Sequence, residues 1–261
     1  MAIWVRFRRG DAEGFGVLDD ESIATHEGDL FAGASPTGGR VPLAEVTLLA
    51  PVRPGRFIGL WNNFHEAAAK NGLAIPSVPL WFLKNPDCVV GPEASIRPPA
   101  SYTGRVVYEG ELGVVIGKRC AGVDEAEAES AIFGFTCVND VTALDLLTAD
   151  PSFPQWARAK GCDTFGPIGP GIATNLDWLT ARVRVSVNGR VRQDYPLADM
   201  IIPPARIIAL ISREMTLEAG DVISCGTSLG AVSMKPGTVV EVAIDGIGTL
   251  RNRFEGSGTG A

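Results

Sequence analysis

The sequence contains little histidine, and this shortage limits the metal sites that the chain can build. Only two histidines, His26 and His65, occur in 261 residues. The five cysteines are odd in number and widely spaced, and they form neither a Cys-x-x-Cys pair nor the Cys/His spacing of a zinc site. We therefore exclude a centre with three or more histidines and interpret the cysteines as small buried apolar residues. A bound metal ion is expected to use oxygen ligands.

The chain also lacks long apolar segments and clusters of basic residues. No stretch reaches the roughly 18 uninterrupted apolar residues of a membrane helix, and residues 1–9 mix charges into their apolar run, unlike a signal peptide. The net charge is -7, and no run of Lys and Arg offers the charge that nucleic-acid phosphates need. These absences predict a cytoplasmic protein that binds neither membranes nor nucleic acid and whose partners are small molecules and other protein chains.

What the chain does contain is typical of a strand-rich globular protein of the α+β class. Apolar residues make up 46% of the sequence, charged residues only 20%, and glycine and proline are frequent. The length allows a large domain and a small one. We expect residues 1–53 to form a small N-terminal domain of short strands, interrupted by turns at residues 33–39. Residues 54–254 then form the main domain, and residues 255–261 a flexible tail.

The segment 61–100 is predicted to wrap over a site rather than to form a regular layer, because it is rich in proline. It begins with a short helix at His65–Lys70, whose composition favours helix strongly. Asn62 or Asn63 is the expected N-cap, and Asn71-Gly72 the expected stop.

Three acidic residues form the strongest chemical pattern. Glu109 and Glu111 stand at i and i+2 in a strand-forming segment, so both lie on one face with α-carbons about 7 Å apart, and Gly110 leaves the opposite face free for close packing. Asp140 ends another buried strand. Three carboxylates in one pocket would repel each other by roughly 4 kcal/mol per pair, and a cation such as Mg²⁺, Mn²⁺ or Ca²⁺ would relieve this. From the pattern alone, a solvated edge strand and an ordinary turn aspartate are an equally good interpretation.

Ordered motifs around these acids resemble the fumarylacetoacetate hydrolase family. The resemblance covers residues 55–254 and is carried by Tyr108-Glu109-Gly110-Glu111-Leu112-Gly113, Val138-Asn139-Asp140-Val141-Thr142-Ala143 and Lys160-Gly161-Cys162-Asp163-Thr164-Phe165-Gly166-Pro167. It implies a mixed β-roll or sandwich catalytic domain, a small N-terminal domain and a homodimer. It also implies a magnesium-type ion held by Glu109, Glu111 and Asp140, on which a 2-oxo acid is chelated.

The resemblance implies roles for four further residues. Lys160 matches a lysine beside the metal, Thr227 a group that holds the substrate carboxylate, and Gln193 a substrate-contacting glutamine. His65 matches the lid histidine that activates water together with a glutamate one helical turn later. Here Ala68 replaces that glutamate, which leaves His65 as a lone acid/base.

The preferred expectation is a metal-dependent hydrolase that cleaves a carbon–carbon bond of an acylpyruvate- or fumarylpyruvate-type 2-oxo acid in aromatic-compound catabolism. Decarboxylation of a 2-oxo acid, or isomerisation or hydration of a 2-hydroxymuconate-type diacid, is the alternative. A catalytically silent ligand-binding protein is a second alternative, motivated by Ala68. Lys70 and Lys84 lie near the same lid, where contact with an anionic substrate is one interpretation, but a solvated surface position is the expectation for both.

Overall fold

The computed structural model describes residues 1–256, so most of the tail predicted at 255–261 lies outside the described residues. Within this range the strands are β1 (Ile3–Arg9), β2 (Ala12–Asp19), β3 (Ser22–Glu27), β4 (Ser35–Pro42), β5 (Thr47–Leu49), β6 (Phe57–Trp61), β7 (Leu80–Lys84), β8 (Val89–Val90), β9 (Ser95–Ile96), β10 (Val106–Val107), β11 (Gly110–Ile116), β12 (Ile132–Asn139), β13 (Thr142–Ala143), β14 (Gly166–Ala173), β15 (Arg182–Val187), β16 (Arg190–Pro196), β17 (Val222–Ser224), β18 (Val239–Ile244) and β19 (Gly248–Phe254). The α-helices over the same residues are α1 (Leu30–Gly33), α2 (His65–Lys70), α3 (Glu125–Glu129), α4 (Leu144–Leu147), α5 (Trp156–Lys160) and α6 (Pro204–Ile211). Single 3₁₀ turns lie at Leu43–Glu45, Pro86–Cys88, Trp178–Thr180 and Leu197–Asp199. No helix within residues 1–256 has the length and apolarity needed to cross a bilayer.

Two mixed sheets dominate the fold. The larger sheet has the order β4-β3-β2-β1-β14-β12-β11-β17-β6-β7, with β5 beside β1 and β8 beside β14. The smaller sheet has the order β16-β15-β18-β19-β9, and β10 pairs with β13 separately. Most neighbours are antiparallel, whereas the pairs β6/β17, β8/β14 and β9/β19 are parallel. The predicted α+β, β-rich class with a mixed-sheet catalytic domain is therefore confirmed.

The main core lies where the smaller sheet packs over β11, β12 and β14. Three valines in this core are at most 1% exposed: Val114 on β11, Val185 on β15 and Val242 on β18. Gly110 is the point of closest approach, because a Cβ atom at this position would lie only 2.2 Å from Cγ2 of Val185. The prediction that Gly110 frees one strand face for close packing is confirmed.

The N-terminal strands extend the larger sheet. Strand β1 pairs with β14 through Ile3 and Trp4, while Val5, Phe7 and Ile23 form a small apolar cluster of their own. The predicted interruption at residues 33–39 is wrong in its second half, because β4 occupies residues 35–42 and pairs with β3. Main-chain hydrogen bonds need no side chain, so a glycine-rich run can still form this edge strand.

The segment 61–100 departs from its prediction in two places. Strand β7 pairs with β6 as the edge of the larger sheet, so this part does form a regular layer. Helix α2 starts after Phe64 without a side-chain cap, because the predicted cap Asn63 is buried and bonds the backbone of Ile202 and Cys225 instead. The helix does end at Asn71, as predicted.

Candidate active site

The register of β11 and β12 brings the three predicted carboxylates together. Gly110 is paired with Asn139, which places Glu109 and Asp140 next to each other where the two strands meet. The backbone N–H of Asp140 donates to the carbonyl of Glu109 at 2.8 Å. One carboxylate oxygen from each of Glu109, Glu111 and Asp140 lies within 4.8 Å of the others. This spacing suits coordination of a single ion by oxygen ligands.

Glu111 has one carboxylate oxygen without a partner. Its Oε2 accepts hydrogen bonds from the Ser224 hydroxyl at 2.5 Å and the Gly226 amide at 2.8 Å. Its Oε1 is buried and has no hydrogen-bond partner among the described residues. Burial, followed by the charges of Asp140 and Glu109, raises the pKa of Glu111 well above its ordinary value. A buried acceptor of this kind beside two more carboxylates fits a divalent cation.

Two buried lysines face the same carboxylates. Lys160 Nζ lies 2.6 Å from Oε2 of Glu109 and 2.5 Å from Oδ2 of Asp140. Burial tends to lower the pKa of Lys160, but the surrounding carboxylates outweigh burial and raise it, so this side chain carries a positive charge. Lys84 Nζ lies 2.6 Å from Oδ1 of Asp140 and also donates to the carbonyl of Lys160. The expectation of a solvated Lys84 is wrong, because its side chain is completely buried.

The net charge of this cluster is compatible with binding of a cation. Burial tends to raise the pKa of Asp140, but Lys160 and Lys84 together lower it, so Asp140 is ionised. Three carboxylates against two ammonium groups leave one net negative charge when all are ionised. A divalent cation would turn this into one net positive charge, which complements an anionic ligand.

A cavity of about 220 Å³ opens onto the cluster. Glu109, Glu111, Thr142, Lys160 and Thr227 form the charged part of its lining, and the rest is mainly leucine and aromatic side chains together with a few small or amide residues. The Thr142 hydroxyl donates to Oε1 of Glu109 at 3.2 Å. The cavity thus joins a charged end to an apolar end.

The structure places Thr227 on the cavity wall and Gln193 behind it. The Thr227 hydroxyl donates to the carbonyl of Gly110 and accepts from Nε2 of Gln193, both at 2.9 Å. Gln193 is 1% exposed and is not among the residues that line the cavity. Its amide instead bonds the Gly110 N–H and the carbonyls of Ser228 and Leu229. In this conformation Gln193 fixes the loop that carries Thr227.

The structure does not bring His65 into the cavity. Helix α2 turns Ala67 and Asn71 towards the cavity and buries Ala68, whereas His65 is exposed to solvent. These positions follow from the helical period, since Ala67 and Asn71 are four residues apart and share a face. The acid/base role of His65 therefore stays a prediction.

Sequence reasoning missed two residues for which a signal existed. Every second residue of β7 points inward, so Lys84 lies on the same face as the buried Phe82. This alternation could have predicted that Lys84 is buried. Trp156, which lines the cavity, precedes Lys160 by four residues and so shares its helix face. Ser224, the hydroxyl partner of Glu111, carries no comparable sequence signal.

Comparisons with known proteins agree on one family. A sequence model described as fumarylacetoacetate (FAA) hydrolase C-terminal matches residues 56–255, and one described as Rv2993c-like, N-terminal matches residues 4–51. The chain is 41% identical to Protein Rv2993c of Mycobacterium tuberculosis, over 88% of this chain and 85% of that protein. It is 35% identical to the oxaloacetate tautomerase YisK of Bacillus subtilis, over 81% and 74% of the two chains. A solved structure of 2-hydroxyhepta-2,4-diene-1,7-dioate isomerase from Mycobacterium marinum matches with a TM-score of 0.90 and 35% identity, over 99% of this chain and 100% of that one.

Proposed function

Because the chain belongs to the fumarylacetoacetate hydrolase family, we propose that it is a divalent-metal-dependent enzyme that stabilises the enolate of a small 2-oxo acid and shifts a proton along its carbon chain. The observation that carries this proposal is the buried cluster of Glu109, Glu111 and Asp140, with Lys160 against it on the cavity wall. Relatives named as a tautomerase and an isomerase support the reaction type.

The three carboxylates would hold the ion, and their hard oxygen atoms favour Mg²⁺ or Mn²⁺, with Ca²⁺ as a further candidate. When bound, the ion supplies Lewis-acid polarisation of the substrate oxygens. Ser224 and the Gly226 amide orient Glu111, and Lys84 orients Asp140. These fixed partners keep the ligand oxygens in place before substrate arrives.

Lys160 is the side chain that meets the developing negative charge. Its ammonium group lines the cavity and is held by Glu109 and Asp140. A fixed positive charge in a buried site stabilises an enolate more than it stabilises the neutral ketone, which lowers the barrier to enolisation. We propose that Lys160 donates a proton to the substrate carbon and recovers one from the enol hydroxyl, so that its ammonium form is restored in each turnover. Thr227, which also lines the cavity, would position the substrate carboxylate.

A proton shift needs fewer groups than hydrolysis. Hydrolysis requires a base that activates water, and no histidine lines the cavity among the residues that the structure describes. A proton shift needs charge stabilisation and one group that gives a proton to one substrate atom and takes a proton from another, a role that we propose for Lys160. We therefore rank isomerisation or tautomerisation above the carbon–carbon hydrolysis that the sequence favoured.

The proposal is tested by following enol absorbance in the ultraviolet with a panel of acylpyruvates, oxaloacetate and hydroxymuconate-type diacids. Turnover of at least one of these with Mg²⁺, lost with EDTA and restored with excess Mg²⁺, is the expected result. Equal turnover with and without chelator would exclude the metal mechanism. Binding of Mg²⁺ and oxalate without turnover of any compound would instead favour a catalytically silent protein.

Carbon–carbon hydrolysis of an acylpyruvate stays the second candidate function. The observation that favours it is the apolar end of the cavity, which offers space for an acyl group beyond the metal cluster. Release of pyruvate, measured with a coupled lactate dehydrogenase assay, separates this reaction from a proton shift, because a proton shift leaves the carbon chain intact.

Two further expectations enter as proposals. The family resemblance leads us to propose a homodimer, which sedimentation velocity would test. The composition leads us to propose a cytoplasmic location, which fractionation of the source cells would test.

A further inference from the structure

Apart from its charged residues, the cavity is lined mainly by leucine and aromatic side chains, and we call this part of the lining the aromatic end. A substrate bound by its 2-oxo carboxylate at the charged end would extend its remaining carbon atoms into this region. The side chains that form it belong to five separate segments of the chain. They are Trp61, Leu73, Phe82, Leu144, Leu147 and Trp156.

Three aromatic rings give this end a fixed shape. Phe82 and Trp156 are stacked, with ring centroids 5.0 Å apart and an interplanar angle of 19°, and Trp61 meets Trp156 edge-on at 6.2 Å. The Phe82 ring packs directly over Gly59, where a Cβ atom would come within 2.4 Å of Cζ. The Lys160 ammonium lies 5.2 Å from the Phe82 ring centroid. The ring that begins the aromatic end therefore touches the cation of the charged end.

No positive charge is available at this end. Among the described residues that line the cavity, Lys160 is the one cationic side chain, and Glu109 and Asp140 already engage it. The lining also includes two neutral amides, Asn62 and Asn71, whose nitrogen atoms donate to backbone carbonyls. A neutral amide cannot balance the charge of a buried carboxylate, which would lose its hydration without gaining a counter-ion.

The charge just outside the rings is negative. Trp61, Phe82 and Trp156 also line a second groove, in which Glu214 is the titratable residue. The Trp81 indole N–H donates to the Glu214 carboxylate at 3.2 Å, which holds this anion at the groove. A substrate long enough to pass the aromatic rings would thus meet an anion.

We infer that the enzyme selects 2-oxo acids whose far end is uncharged and apolar, such as an aryl or alkyl group, and discriminates against diacids. The aromatic end formed by Trp61, Phe82 and Trp156 is the specificity-determining subsite. This inference rests on the proposed function, because it assumes that the 2-oxo carboxylate binds at the charged end.

The first experiment compares two 2,4-dioxo acids that differ at the far end. Benzoylpyruvate ends in a phenyl group and succinylpyruvate ends in a carboxylate, and both enolise at the same carbon. We expect kcat/KM with Mg²⁺ to be roughly 100-fold higher for benzoylpyruvate, the scale on which a site rejects a group that it leaves unpaired. In a series of alkyl-ended dioxo acids, kcat/KM should rise roughly fourfold per methylene until the subsite is full.

The second experiment introduces a cation into the subsite. Trp156→Arg should lower the benzoylpyruvate to succinylpyruvate ratio of kcat/KM by at least about tenfold, because the new guanidinium can pair with the distal carboxylate. Leu147→Arg tests the same effect from another segment if Trp156→Arg does not fold. The matched control is Leu179→Arg, which adds the same charge at a residue that is 55% exposed and does not line the cavity. It should leave the ratio unchanged.

Oxalate separates the failure of this inference from the failure of the proposed function. Oxalate has no tail, so its Mg²⁺-dependent binding, measured by calorimetry, should be the same in the wild type and in Leu179→Arg. If oxalate binds but the wild type prefers succinylpyruvate, or if neither cavity variant changes the ratio, the specificity inference alone is overturned. If oxalate does not bind in the presence of Mg²⁺, the proposed metal-dependent function is rejected, and the specificity inference is rejected with it.

Discussion

The two ends of the cavity are built by different kinds of interaction. At the charged end, Lys160 and Lys84 bond the carboxylates at 2.5 to 2.6 Å, so each group has a specific partner at a fixed distance. At the aromatic end, Phe82, Trp156 and Trp61 meet at centroid distances of 5.0 to 6.2 Å through dispersion and burial. Changing one partner at the charged end leaves a buried charge alone, whereas a change at the aromatic end alters only shape and area.

This difference predicts which part of the cavity tolerates amino-acid substitutions. The charged end should permit almost no substitution, because desolvation makes every unpaired group costly. The aromatic end should accept many apolar side chains at moderate cost. If the proposed function is right, the part of the cavity that carries the reaction tolerates fewer substitutions than the part that selects the substrate. Four substitutions test this contrast, taken from the largest expected effect to the smallest.

The largest effect on stability is expected for Lys84→Met. The substitution keeps most of the side-chain volume but leaves Oδ1 of Asp140 without its ammonium partner in a fully buried position. Breaking a buried pair in this way costs about 3–5 kcal/mol of unfolding free energy, to be measured by urea denaturation without metal. Lys70→Met, at an exposed lysine of α2, is the control and should change stability by less than about 0.5 kcal/mol. Equal effects of the two substitutions would contradict a buried pair.

The second effect concerns Glu111→Gln and has two opposite parts. Metal affinity should fall by at least about 100-fold, since even partners of metal ligands typically contribute 10- to 100-fold. The metal-free protein should be at least as stable as the wild type at pH 7, because burial raises the pKa of Glu111 and penalises its ionised form. Calorimetry with Mn²⁺ and thermal unfolding with EDTA measure the two parts.

The control for this substitution is Glu129→Gln on the exposed face of α3, which should leave both quantities unchanged. A Glu111→Gln protein that binds Mn²⁺ like the wild type would remove Glu111 from the ligand set.

The third effect lies at the aromatic end and should be smaller. Phe82→Leu removes the stacked partner of Trp156 and the ring beside the Lys160 ammonium but keeps an apolar side chain. We expect a loss of about 1–2 kcal/mol in unfolding free energy, together with a shift in tryptophan emission. Phe153→Leu, at a residue that is 66% exposed, is the control. If Phe82→Leu lowered the unfolding free energy as much as Lys84→Met does, the proposed difference between the two ends would be contradicted.

The smallest effect is expected for His65→Gln. Loss of a general acid or base typically lowers the rate by 10² to 10⁴. His65 is exposed and does not line the cavity, so we expect kcat/KM with the best substrate to change by no more than about twofold. A loss of 100-fold or more would show that α2 rotates or closes during the reaction, and it would restore hydrolysis as the first candidate.

The contrast between the ends also explains what the sequence could predict. The charged end follows from short local patterns: Glu109 and Glu111 are two residues apart on one strand, and Asp140 ends the strand that pairs with it. The alternation of side chains along a strand and the position of a strand end can both be predicted from the sequence alone. The β-rich mixed fold was predictable for the same reason, together with the family resemblance.

The aromatic end as a whole could not be predicted, because its residues come from segments that have no common motif, and only Trp156 carried a signal through its spacing from Lys160. Trp61 ends β6, Phe82 lies on β7 and Trp156 starts α5, and only the tertiary fold makes them neighbours. Lys84 was misassigned because lysine is exposed in most proteins. The placement of His65 depends on the rotation of α2 about its axis, which in turn depends on the packing of Ala68.

Strand β7 carries a constraint on how this protein can diverge. Phe82 and Lys84 are two residues apart and lie on the same face of the strand. A single backbone segment therefore supports both the aromatic end and Asp140. A duplicated gene that acquires a new substrate by moving this strand would at the same time disturb the position of Asp140, the proposed metal ligand. Descendants with altered specificity should therefore differ in side chains at positions such as 61, 147 and 156, while the length and register of this strand are inherited unchanged.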